Sequence, residues 1–322
     1  MTAGELQPQA WKRLLQCRER VPHALLLHGP QGVGKFELAE LFAQLLLCER
    51  PQPEKPCGKC DACRWYVAGH HPDVRFVEPE ALARRAPGEA EETEKPKGKP
   101  SSEIKIDQIR GLEDFVHIGS HRGGLRVAIV NPAEAMNAHA SNALLKNLEE
   151  PPPGAVFVLV ANRPARLLAT VRSRCIQVAV SLPQPAAAGA WLEAQGVRDA
   201  ARRLAFAGGA PRQAVEDAAG ERSAFIDEAL KTLAAGDFVR LGAPRDREAL
   251  ELLAEVLQKR AYDGVFAAFG LAPKYGTVQP GSRGAPRAWL AYARKLGHDR
   301  ALARHPLNAA LHATQMLSSW PV

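Results

Sequence analysis

Ala24-Leu25-Leu26-Leu27-His28-Gly29-Pro30-Gln31-Gly32-Val33-Gly34-Lys35-Phe36 is the stretch on which the fold turns. Ala24 to Leu27 is a short apolar run, the pattern of a buried strand. A glycine-rich turn follows at once. Then Leu38, Leu41, Phe42, Leu45 and Leu46 recur at spacings of three and four, which is one face of a helix. Gly29-x4-Gly34-Lys35, with Gly32 inside it, is a phosphate-loop arrangement. Its glycines let backbone N–H groups converge on phosphate oxygens at a helix N-terminus, and the lysine adds a point charge.

The residue after the lysine decides the chemistry. A hydrolytic loop needs Ser or Thr there, because the hydroxyl holds Mg²⁺. Phe36 has none. The second metal-holding group is an Asp, often followed by Glu, at the end of a later strand. The candidate strand Leu125 to Val130 runs into Asn131-Pro132, and neither carries a carboxylate. Glu134 lies three residues beyond Asn131, in a direction the sequence does not fix. The loop is therefore either a degenerate, binding-only nucleotide site or a turn kept for its shape, and ATP binding stays open.

Outward from the loop, Val74 to Val77, Ala155 to Ala161 and Cys175 to Val180 are further strand candidates. Helical patterns occupy 106–115 and 137–150, the latter stopped by Pro151-Pro152-Pro153. Strands apolar throughout, alternating with helices, predict an α/β domain with a parallel sheet covered on both faces. Residues 78–102, rich in Glu, Lys, Pro and Gly, predict a mobile surface insertion. Beyond Pro183 helical periodicity takes over, with a break at Gly208-Gly209-Ala210-Pro211 and helical segments at 247–268, 286–297 and 299–319. The expected division is an α/β domain over 1–181, a small helical domain over 182–240 and a second helical domain over 241–322.

Cys48-x8-Cys57-x2-Cys60-x2-Cys63 offers four thiolates within 16 positions. Pairs two residues apart can aim both sulfurs at one ion, and four suffice for tetrahedral zinc. An iron–sulfur cluster is the rival, since tandem Cys-x2-Cys spacing also serves it. No fourth Cys followed by Pro lies downstream, so structural zinc is the expectation. Cys17 and Cys175 lie outside this group and suit small apolar positions.

A formal net charge of +7 permits contact with nucleic acid or an acidic partner without demanding it, as no dense Lys/Arg stripe occurs. Aromatic residues are 6% of the chain, which does not signal a base-stacking surface. The first 16 residues carry no apolar signal-peptide core, and no run of about 18 apolar residues exists, so a cytoplasmic protein without membrane contact is expected.

Taken together, the phosphate loop, the cysteine insertion behind its helix, the run Asn142-Ala143-Leu144-Leu145-Lys146-Asn147-Leu148-Glu149-Glu150-Pro151-Pro152, the triplet Ser173-Arg174-Cys175 and the segment Arg20-Val21-Pro22-His23-Ala24 resemble clamp-loader subunits of bacterial DNA polymerase III. The likeness covers about residues 11 to 180. Motor subunits of that family keep the Ser/Thr and the Asp-Glu pair. The departures at Phe36, Asn131 and Pro132 resemble the delta-prime branch. The resemblance implies an AAA+ module, a helical lid and a helical collar that joins five subunits. It implies partnership with motor (gamma/tau) and wrench (delta) subunits, and through them with the sliding clamp and primed DNA. On this likeness the chain is a stator within the DNA-directed DNA polymerase holoenzyme and not catalytic alone. Arg174 would be an arginine finger acting in trans on a neighbour's nucleotide. Arg212, in Gly209-Ala210-Pro211-Arg212, resembles the lid arginine that senses nucleotide. Two rivals remain, an active motor ATPase of the same family and a zinc-dependent DNA-binding protein.

Overall fold

The structure, a computed structural model, describes residues 2–82, 100–117, 124–236, 238–241, 244, 246–278, 285–302 and 308–321. Its contacts divide the chain into two compact units, Met1–Pro183 and Gln184–Val322.

Among its described residues the first unit has five strands: β1 (Ala24–His28), β2 (Val74–Val77), β3 (Arg126–Val130), β4 (Ala155–Ala161) and β5 (Ile176–Ala179). They form one sheet in the order β2-β3-β4-β1-β5. All four neighbouring pairs are parallel. Each parallel step needs a crossover, and helices supply it: α1 (Ala3–Leu6) and α2 (Pro8–Glu19) precede the sheet, α3 (Lys35–Leu47) and α4 (Asp61–Val67) join β1 to β2, α5 (Ile106–His117) joins β2 to β3, α6 (Ala138–Glu149) joins β3 to β4, and α7 (Ala169–Ser173) joins β4 to β5. β3 and β4 are buried along their whole length, and Leu25, Leu26 and Leu27 of β1 are fully buried. That is the burial the apolar runs predict for a sheet covered on both faces, each large side chain contributing about 1.5–3 kcal/mol. Phe157, Ala128, Leu144 and Ile109 meet in the core between the sheet, α5 and α6. The parallel sheet with helical crossovers, and a glycine-rich turn between β1 and α3, is the α/β domain that the sequence pattern predicts.

Much of the expected insertion at 78–102 falls outside the described residues, at 83–99. Its flanks are paired: the Ala81 N–H donates to the Ser101 carbonyl at 3.1 Å, and Lys105 bridges Glu80 at 2.8 Å.

The regular elements among the second unit's described residues are all helices: α8 (Pro185–Ala194), α9 (Ala200–Phe206), α10 (Pro211–Asp217), α11 (Gly220–Ala235), α12 (Phe238–Leu241), α13 (Arg247–Ala268), α14 (Pro286–Leu302) and α15 (Ala309–Ser318). One apolar core joins Phe206, Ile226, Leu253, Trp289, Leu296 and Met316. α14 runs on through Gly297, where the periodicity predicts an end. A Cβ at Gly297 would stand 3.9 Å from Gln258 Nε2, so the glycine lies against α13 and does not break the helix. At Gly264 a Cβ would come within 2.5 Å of the Trp289 ring, so only glycine lets α13 and α14 approach this closely. No helix among the described residues is long and apolar enough to cross a membrane.

Candidate functional site: a phosphate loop and a four-cysteine centre

The loop leaves the carboxyl end of β1, where parallel sheets hold their ligands. Gly32 and Gly34 have φ of +75° and +92°, left-handed conformations that glycine adopts without strain, and Gly34 is the N-cap of α3. Gly29 is set by a close approach: a Cβ there would lie 1.9 Å from the Val180 carbonyl oxygen. The loop is also tied from outside. The buried Gln7 amide donates to the carbonyls of Val33 at 2.8 Å and Ser181 at 3.0 Å.

Lys35 is buried, and its ammonium donates to the Pro30 carbonyl at 2.5 Å, so it folds back on the loop. Burial pulls its pKa down to about 8, against the charges of Glu134 and Glu37. Burial also lowers His28 at the end of β1, helped by the Lys35 charge. Phe36, in the place of the metal-holding hydroxyl, packs its ring against Phe76 of β2 at 6.1 Å, and Tyr66 of α4 meets Phe76 at 6.4 Å. At the end of β3 the Asn131 amide donates to Glu78 at 3.1 Å. The positions that would hold magnesium are thus filled by an aromatic contact and an amide.

The cysteines come together as the spacing predicts. Cys48 is the C-cap of α3 and Cys60 the N-cap of α4. Their four sulfurs all lie within 4.8 Å of one another, with Cys48–Cys60 at 3.9 Å and Cys57–Cys63 at 4.0 Å. A tetrahedron of sulfurs at about 2.3 Å from zinc has edges of about 3.8 Å. The donor set therefore fits such an ion. Backbone N–H groups of Lys59 and Cys60 point at Cys57 Sγ, both at 3.4 Å, and hold that thiol down at about 6. Burial pushes Cys63 and Cys48 up. Four thiolates this close would repel one another, and a cation among them would offset that repulsion. The segment before Cys57 is anchored by Trp11, whose indole N–H donates to Glu54 O at 3.1 Å, and by Arg18, which donates to Pro53 O at 3.1 Å.

Residues 6–184 match the family model described as DNA polymerase III, delta subunit. The DNA polymerase III subunit delta′ of Pseudomonas aeruginosa is 43% identical over 210 residues, 64% of this chain and 58% of that protein. The chain belongs to the delta-prime clamp-loader family of DNA polymerase III. The delta′ subunit of Escherichia coli is 36% identical over 170 residues, covering 53% of this chain and 46% of that one. The tau subunit of Escherichia coli is 35% identical over 158 residues, 49% of this chain and 21% of its own length. The chain spans about half the length of the curated delta′ relatives it matches. A solved gamma-subunit-related protein of Thermotoga maritima aligns over 96% of this chain and 97% of its own at 19% identity, with a TM-score of 0.44.

The family match contains the loop, the cysteines and Ser173-Arg174-Cys175, and ends before Arg212. Arg174 caps α7 immediately before β5, pairing with Glu149 at 2.6 Å and donating to Thr170 O at 3.0 Å. Arg212 belongs to the second unit, where its guanidinium stands 5.9 Å from the Trp191 ring centre. Two features escape a sequence reading. Gln7 reaches a partner 174 positions away, and nothing local announces that. Glu134, of unknown direction in the sequence, turns toward the end of β4. Its carboxylate accepts the N–H of Asn162 at 2.9 Å and that of Arg163 at 3.0 Å. The parallel order β3-β4 is the signal that could have found it.

Proposed function

We propose that the chain is the non-hydrolysing stator, the delta-prime subunit, of a DNA polymerase III clamp loader. In this reading it assembles in the cytoplasm with motor (gamma/tau) and wrench (delta) subunits into a hetero-pentamer that loads the sliding clamp onto primed DNA. The second unit serves as lid (182–240) and collar (241–322). Zinc is the metal of the four-cysteine centre, held by Cys48, Cys57, Cys60 and Cys63 in a structural role.

The observation that carries the reading is Phe36 seated on Phe76 at 6.1 Å, where a hydrolytic loop needs a hydroxyl on Mg²⁺. Asn131 removes the second metal ligand. Arg174 acts in trans on the phosphoryl group at a neighbouring motor subunit. A guanidinium is always charged, and its fork of donors matches phosphate oxygens. Its resting partner, Glu149, offers little resistance. The pair is half-exposed, and such pairs are worth about 0–1 kcal/mol. An arginine finger supplies about 10³–10⁵ in rate, so release from Glu149 is the smaller effect by far.

The competing reading within the family is an active motor. ATP turnover by the purified chain with Mg²⁺ separates the two. The stator reading expects no turnover above background. Robust turnover abolished by Lys35→Ala would replace it with the motor reading.

A further inference from the structure

The sheet order sets the carboxyl ends of β3, β4 and β1 side by side: Val130 pairs with Leu159, and His28 with Ala161. The phosphate loop leaves β1 there, and Glu134 lies in the 3₁₀ turn Ala133–Ala135 beyond β3. One Glu134 oxygen accepts the N–H of Asn162 at 2.9 Å and of Arg163 at 3.0 Å, and the other accepts Asn162 at 3.2 Å. The Gly29 N–H donates to the Ala161 carbonyl at 3.2 Å. The carboxylate and the first residue of the loop therefore hang on consecutive residues at the exit of β4. Charge-assisted hydrogen bonds hold the carboxylate in place, so it does not swing aside cheaply.

We propose that Glu134 determines what the loop accepts: fixed at the loop's edge, it stands as a resident anion and turns away nucleoside phosphates and pyrophosphate. Glu134 acts on an incoming anion in two opposed ways. It favours the charged form of Lys35, which would attract phosphate, and of the two carboxylates that do so it acts the more strongly. It also repels the phosphate directly. The first effect is limited to one ammonium, which already spends a hydrogen bond on Pro30. Both effects scale with the ligand's charge, but Glu134 restores at most part of one positive charge on Lys35 while opposing the ligand with a full negative one, so repulsion wins. This goes beyond the stator reading, which stands whether or not a phosphate enters the loop.

The test is calorimetric titration of inorganic pyrophosphate and of ATP, with and without Mg²⁺, at low salt. Three chains are compared: wild type, Glu134→Gln, and Glu134→Gln with Lys35→Ala. Gln keeps an acceptor for the two N–H groups and drops the charge. Wild type should show no binding at millimolar ligand. Glu134→Gln should bind on the order of tenfold more tightly or better. The double variant should lose the gain, which locates the anion in the loop. Glu134→Gln that melts like wild type and binds no better overturns the proposal. So does micromolar binding by the wild-type chain, whatever the fate of the variant. Neither result bears on turnover or on Arg174, so failure here is distinguishable from failure of the stator reading.

Discussion

Helix α3 begins in the phosphate loop, with Gly34 as its N-cap, and ends in the cysteine module, with Cys48 as its C-cap. The two ends of this one helix differ in what they retain. At the N-terminal end the backbone is that of a phosphate site, down to the left-handed glycines and the buried lysine, while the groups that would hold magnesium are missing. At the C-terminal end the backbone has little regular structure before α4, while four sulfurs that could hold a metal ion lie within 4.8 Å of one another. A loop's shape and a site's chemistry are separable. The shape rests on glycines and packing, and the chemistry on a few side chains that a single substitution removes.

The largest effect that could break this comparison is at the cysteines. The chain should carry one zinc ion, and a Cys57→Ser, Cys60→Ser double variant should carry none. Structural zinc contributes about 10–16 kcal/mol in isolated fingers. Here β1, β3 and β4 form a core of their own, so hydrogen exchange should rise across 49–67 while the strands stay protected. Undiminished zinc by elemental analysis in the double variant would mean that the cluster is not the site.

A smaller effect sharpens the point about shape. Gly29→Ala places a Cβ on the Val180 carbonyl, and overpacking of this kind costs about 1–3 kcal/mol in addition to backbone strain. Gly58, in the cysteine module, has φ +69° and open space around its Cβ position. Gly58→Ala should cost the strain alone, about 1–2 kcal/mol. Equal losses for the two in denaturant melts would remove the claim that the loop is held by its packing.

Lys35 gives the subtlest test. Its pKa is lowered from 10.5 to about 8, so the folded state disfavours the ammonium. Between about pH 8 and 10.5 the unfolded chain holds a proton that the folded chain has released, and stability rises with pH across that window. Lys35→Met should therefore stabilise the chain at pH 7, by about 1–3 kcal/mol. The gain should shrink as pH climbs toward 10.5. A loss of stability at pH 7 would show that the lysine supports the loop after all.

Much of this was legible beforehand, for identifiable reasons. β4 is apolar throughout, and β1 and β3 are apolar but for His28 and Arg126 at their ends, because all three are covered on both faces, so their limits in the sequence and in the fold agree within a residue. The cysteine spacing states its own geometry. Glu134 was visible as a residue but not as a contact, because the direction of a side chain in a 3₁₀ turn depends on which strand lies next door. Gln7 was invisible, since its two acceptors come from distant parts of the chain. The continuation of α14 through Gly297 was masked because a helix-interior glycine reads as a stop until the neighbouring helix is known.

The central claim is that this chain does no phosphate chemistry at its own loop and lends Arg174 to a neighbour's. The direct measurement is DNA-stimulated ATP hydrolysis by the reconstituted clamp loader carrying Lys35→Ala or Arg174→Ala in this subunit alone. Both complexes should assemble as wild type. Lys35→Ala should leave the rate within about twofold of wild type, and Arg174→Ala should reduce hydrolysis at the one adjacent site and slow clamp loading, given that an arginine finger is worth about 10³–10⁵ at its own site. Arg174→Lys should not restore the loss fully, since an ammonium lacks the fork of donors. A complex slowed by Lys35→Ala and indifferent to Arg174→Ala would contradict the account on both counts.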